Sequence, residues 1–167
     1  RAHDLKVVED CCQCVGGSYK GRQVGTYGDA GAWSLNFYKT ITSGEGGLVY
    51  TNDRDIYERA CFTADPGLPM WNVGQEDPEW RNEPFPRQTY RPSVVLAAIA
   101  RAQLAKIEDI LGHQRAMKRA FLDGLDEAKG YRLQHVDDPS GDTGVSATII
   151  AHDKELAMGY AHALKAE

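Results

Sequence analysis

Gly28-Asp29-Ala30-Gly31-Ala32-Trp33-Ser34-Leu35-Asn36-Phe37-Tyr38-Lys39, followed a few residues later by Gly44-Glu45-Gly46-Gly47-Leu48-Val49-Tyr50-Thr51, decides how this chain folds. Residues 30–37 alternate, which predicts a strand with Trp33, Leu35 and Phe37 on one face. The glycines from Gly44 to Gly47 reach backbone angles closed to other residues and predict a turn. Leu48 to Thr51 then returns as a second strand. Ser34 and Lys39 stand at or just past the tip of the first strand. In open α/β sheets the carboxyl tips of strands are where ligands bind.

Upstream, Leu5-Lys6-Val7-Val8-Glu9-Asp10 is a short apolar run ending in acids, the pattern of a buried parallel strand with an exposed tip. Asp10 therefore belongs to the same rim, and Gln13 follows three residues later. The glycine-rich residues 16–25 predict a small hairpin. Downstream, Asn52 or Asp53 caps a helix through Asp55 to Cys61. From Asp65 to Pro92 the chain carries proline, charge, Trp71 and Trp80 with little periodicity, and is expected to be a substrate-side or interface loop. Ser93 opens a long helix with a stripe of Leu96, Ile99, Leu104, Ile107 and Leu111. Helix is expected to resume after Gly112, with Met117, Phe121 and Leu125 on one side, and to stop at Gly130. Residues 145–151 predict a strand, and Asp153 caps a last helix. The change from α/β layers to a long helix and then to a new strand and helix suggests a boundary near residues 112–130.

Apolar residues make up 42% and charged residues 26% of 167 residues, ordinary for a globular protein. A net charge of −5 disfavours nucleic acid as a partner. No stretch approaches the roughly 20 apolar residues of a membrane span, so a cytoplasmic location is expected. Cys11 and Cys14 form a C-x-x-C, which invites a metal or redox reading. Cys12 lies between them, only Cys61 remains elsewhere, and no histidine pair stands near it. A closed tetrahedral site has too few ligands, so no metal is expected and small buried residues beside a strand end are favoured.

Glu9-Asp10-x-x-Gln13, Gly28-Asp29-Ala30-Gly31, the serine five residues before Lys39, and Gly44-Glu45-Gly46-Gly47 occur in one order and spacing. Together they resemble the DegT/DnrJ/StrS family of sugar aminotransferases, fold-type I enzymes dependent on pyridoxal phosphate. The match extends over most of residues 5–128. It implies an α/β fold in which residues 1–112 are the C-terminal portion of a three-layer cofactor-binding large domain. Residues 113–167 would be a linker helix and the beginning of a small α/β domain. Arg1 in place of Met and an end inside a predicted helix fit a fragment lacking the N-terminal part and the C-terminal end. The missing upstream stretch would supply phosphate-gripping amides and a ring-stacking aromatic, so this stretch alone is expected to be inactive.

The resemblance also implies roles. Lys39 would be the covalent anchor of the cofactor and the general acid–base. Its amine must be deprotonated to attack a carbonyl, and apolar walls from Trp33, Leu35, Phe37 and Tyr38 would favour that state. Asp10 would pair with the ring nitrogen, Gln13 with the ring hydroxyl, and Ser34 with the phosphate. Gln88-Thr89-Tyr90-Arg91-Pro92-Ser93 stands where the family has an Asn-Tyr-Arg-Met-type segment. The family's asparagine reaches a dimer partner's phosphate, but Thr89 is shorter and that role is not carried over. Arg91 matches, either as a contact to an anionic substrate or as a structural salt bridge. Some relatives replace the lysine with histidine and dehydrate their substrate; Lys39 favours transamination. The implied reaction moves an amino group from glutamate or glutamine to a keto-sugar, commonly nucleotide-linked, in a homodimer. The alternatives are a catalytically idle homologue that kept the fold, and a C-x-x-C metal or redox module.

Overall fold

Small residues let a strand be approached closely from either side, and Ala30-Gly31-Ala32 forms the middle of the principal sheet. A side chain at Gly31 would collide with the backbone of Gly25, which crosses directly over it. The computed structural model describes residues 3–65, 88–125 and 130–166. In chain order these form β1 (Val8–Asp10), β2 (Ser18–Tyr19), β3 (Arg22–Gln23), β4 (Ala30–Ser34), β5 (Gly47–Thr51), α1 (Arg54–Ala64), α2 (Val94–Leu104), α3 (Ile107–Asp123), β6 (Tyr131–Leu133), β7 (Ile149–Ala151) and α4 (Lys154–Ala166).

β4 is central in a three-stranded sheet of order β1-β4-β5, parallel to β1 and antiparallel to β5. The expected hairpin is β2 with β3. β6 and β7 pair separately, with Tyr131 edge-on to Tyr160 of α4 at 5.8 Å between centroids. The core joins Val15, Leu35 and Ile41 to Trp33 and, from the helices, Ala100, Ile107 and Ile110. Phe62 buries the inner face of α1. Asp53 caps that helix by accepting from the amides of Asp55 and Ile56, and Ser93 and Asp153 cap α2 and α4 in the same manner.

Several expectations require correction. β1 has the predicted direction but is an edge strand, with Leu5, Val7 and Val8 exposed rather than buried. β4 ends at Ser34, so Phe37 does not share a strand face with Trp33 and Leu35 and is 67% exposed. The side chain of Asn36 caps a turn there and breaks the two-residue period. The long helix breaks at Ala105–Lys106, not at Gly112, which α3 absorbs in its interior. One glycine costs a helix only about 1 kcal/mol, and the buried Leu111 beside it holds α3 to the core. In the predicted stripe Ile107 and Leu111 face inward while Ile99 and Leu104 are exposed. β6 is an element the periodicity did not reveal. Trp71 and Trp80, with most of the expected loop, lie outside the described residues.

Candidate active site

β1 and β4 run in the same direction, so their carboxyl ends make one rim. Asp10, the last residue of β1, stands opposite Ala32, and Ser34 closes β4 two residues further on. The chain then turns. The Lys39 amide donates to the Asn36 carbonyl at 3.0 Å, and the Tyr38 amide donates to Asn36 Oδ1 at 3.2 Å. Leu35 and Ile41, 5% and 3% exposed, anchor the two ends of this turn in the core. Lys39 is thereby held half-buried on a short loop with fixed ends. Gly46, at φ +147°, lets the following turn close beneath Leu35, whose amide donates to the Gly46 carbonyl at 2.8 Å.

The electrostatics tie these groups together. The thiol of Cys12 and its amide, 3.0 Å from Asp10 Oδ1, both donate to Asp10 and hold its carboxyl below the usual carboxylate range; the charge of Lys39 adds to this. In return Asp10 pushes the Cys12 thiol up, opposed in part by Lys39 and by the amide of Ser34. Asp10 and Cys12 both feel the Lys39 charge. Gln13 is exposed on the turn after β1. Ser34 is half-buried, its Oγ accepting from the Asn36 amide at 3.2 Å, which leaves the hydroxyl proton to donate elsewhere.

Other expectations fare differently. The apolar walls around Lys39 do not form from Phe37 and Tyr38, which are 67% and 86% exposed and pack edge-to-face on each other at 5.0 Å. Once the strand ends at Ser34 the backbone carries both rings outward. Arg91 lies at the approach to α2 and pairs with Asp65 at 3.5 Å, the structural alternative left open for it. Thr89 is exposed nearby. The four cysteines are free thiols. Burial pushes the Cys11 thiol up to about 12, the state of a packed thiol rather than a reactive one. Two residues near the site escaped the sequence reading: Cys12, which contacts Asp10, and Asn36, which shapes the lysine turn. Cys12 had only its neighbourhood to Asp10 as a signal, and Asn36 had none.

The opposite rim is built differently. Lys6 lies 3.5 Å from Asp29 and 3.3 Å from Asp53, and the Val7 amide donates to Asp29 at 2.9 Å. Lys6, Asp29 and Asp53, with Tyr50, Thr51 and Asn52, line a cavity of about 380 Å³ that includes none of Asp10, Ser34 or Lys39. A concave surface alone does not mark the chemistry.

A profile of the DegT/DnrJ/EryC1/StrS aminotransferase family matches residues 1–165. The chain belongs to that family. GDP-perosamine synthase of Escherichia coli O157:H7 is 37% identical over 115 residues, covering 69% of this chain and 30% of that protein. The aminotransferase from Psychrobacter cryohalolentis superposes with a TM-score of 0.70 at 33% identity, over 88% of this chain and 38% of that one. A GDP-4-keto-6-deoxymannose-3-dehydratase holding a trapped PLP–glutamate geminal diamine shares the fold, with a TM-score of 0.76 at 23% identity over 96% of this chain and 45% of its own. The α/β fold is that of this family's enzymes, and the chain spans about a third of the length of the curated relative it matches. Among the described residues no helix is long and apolar enough to cross a membrane.

Proposed function

We propose that the enzyme bearing this site transfers an amino group from glutamate or glutamine to a keto-sugar, in amino-sugar biosynthesis, with pyridoxal phosphate as cofactor. The observation that supports the proposal is that Asp10 and Ser34 end two neighbouring parallel strands at one rim, with Lys39 on the turn just past Ser34. The residues present suit the cofactor: an amine on an anchored turn, an ionised carboxylate, and a hydroxyl whose proton is free to donate to an anion. Bound there, pyridoxal phosphate would supply an electron sink when a Cα–H bond breaks. Of the chain's own residues, Lys39 would anchor the carbonyl carbon and move the proton, Asp10 would keep positive charge on the ring nitrogen, Ser34 would donate to the phosphate, and Gln13 would donate to the ring hydroxyl. Arg91, whose side chain is 63% exposed despite its pairing with Asp65, is proposed as a contact for an anionic substrate.

The name of the 37%-identical relative, a GDP-perosamine synthase, supports a nucleotide-linked acceptor. We also propose a cytoplasmic homodimer. The exposed Val94, Val95, Ile99 and Leu104 of α2 favour an apolar interface. The division into 1–112 and 113–167 remains part of this reading, supported by the separate pairing of β6 with β7 and α4. Reduction with borohydride should attach the cofactor to Lys39 and leave a mass adduct on its peptide. Lys39→Ala should abolish that adduct and lower amino transfer by at least about 10²–10⁴-fold. An adduct that persisted in Lys39→Ala would refute the assignment.

A further inference from the structure

We propose that Asn36 is the positioning residue that sets Lys39 relative to Ser34, an inference that rests on the reading of Lys39 and Ser34 just given. Asn36 is hydrogen-bonded to both Ser34 and Lys39. Its backbone amide donates to Ser34 Oγ at 3.2 Å, and its carbonyl accepts from the Lys39 amide at 3.0 Å. Its side-chain Oδ1 accepts from the Tyr38 amide at 3.2 Å, closing the turn on which Lys39 rides. Its Nδ2 donates to Glu45 Oε1 at 2.9 Å, and its backbone bridges Gly44. The lysine turn is therefore fastened to the Gly44–Gly47 turn through one carboxamide.

The demand on that side chain is specific. It must accept on one end and donate on the other at the same time, which a carboxamide does and a carboxylate does not. Asn36→Leu removes both bonds. Asn36→Asp keeps the acceptor for Tyr38 but sets a carboxylate against Glu45, where two like charges repel. Adding Glu45→Gln to Asn36→Asp supplies an amide donor in place of the repelling charge, and the bond reforms with its polarity reversed. An amine displaced by a fraction of an ångström loses its approach to a carbonyl carbon, and misplacement of 1 Å costs about a hundredfold.

The test uses the active enzyme reconstituted with pyridoxal phosphate and follows two quantities. One is the rate of forming the borohydride-reducible linkage to Lys39; the other is the separation of kcat from KM for the amino donor. Asn36→Leu and Asn36→Asp should slow linkage formation and kcat by about tenfold with KM little changed. Asn36→Asp with Glu45→Gln should return to within about twofold of the parent. Linkage at the parental rate in either single variant would overturn the proposal. So would a double variant no better than Asn36→Asp, because a general loss of folding would not be repaired by the second change. If Asn36→Leu fails to fold, the Asn36→Asp pair alone decides. Failure of the underlying reading looks different: Lys39→Ala would then carry the adduct whatever stands at residue 36.

Discussion

Two lysines occupy opposite rims of one sheet, and their surroundings differ in the feature that matters for reactivity. Lys6, just before β1, lies between Asp29 and Asp53 at 3.5 and 3.3 Å, and both carboxylates raise its affinity for a proton, Asp53 most strongly. Lys39, just after β4, enters no ion pair among the described residues, although its charge reaches Asp10 and Cys12. A lysine bonded to two carboxylates is kept as an ammonium and cannot attack a carbonyl. Lys39 makes no such bond among the described residues. Both rims contain a lysine and acids, and they differ in whether the two are at bonding distance.

The sharpest way to break this comparison is to remove the acid at each rim. Asp10→Asn keeps shape and removes charge, and should lower kcat about 10²-fold while Lys39 still forms its borohydride-reducible linkage. Steady-state rates beside peptide mass analysis would check both halves. Unchanged kcat would mean that Asp10 is only a strand-end acid. At the other rim, the Asp29 side chain is 7% exposed and accepts from the Val7 amide as well as from Lys6. Asp29→Ala should cost about 1–3 kcal/mol in chemical denaturation by leaving that amide without its acceptor. Linkage to Lys39 should survive at saturating cofactor, since Asp29 fixes the entry of β1 and not its tip. A loss of linkage without a loss of stability would reverse the roles assigned to the two rims.

The rims were not equally legible in the sequence. Asp10, Ser34 and Lys39 were singled out because their order and spacing, with the glycines between them, resemble a family pattern. The helix caps Asp53, Ser93 and Asp153 were readable because short oxygen-bearing side chains satisfy free amides at helix starts. Phe37 was misplaced because periodicity carries no sign of where a strand stops, and the stop depends on a side-chain bond made by Asn36. β6 was missed because Tyr131 to Leu133 is too short for a period-two signal. Gly112 was overread: a glycine lowers helix propensity but does not end a helix whose neighbour Leu111 is buried. The Lys6 clasp depends on contacts across the fold and leaves no pattern in a single sequence, and Cys12 left only its closeness to Asp10.

The smallest effect offers the finest test of what the clasp is. Lys6 titrates above its ordinary 10.5 in the folded chain, so its contribution is complete below 10.5 and disappears as pH climbs through the raised value. Asp53 titrates below its ordinary 3.8, held there first by the Ile56 amide and then by Lys6; its contribution is present above 3.8 and is lost as pH falls through the lowered value. The helix cap made by Asp53 survives Lys6→Met, so comparing that variant with the parent isolates the ion pairs. Melting temperatures measured across pH should differ by a small, constant amount through the neutral range, and the curves should meet at both extremes. Added salt should narrow the gap, because Lys6 is solvent-exposed and screening acts strongly there. A gap that persisted into strong acid would show that Lys6 acts through its aliphatic stem, and the contrast between a bonded and an available lysine would lose its electrostatic basis.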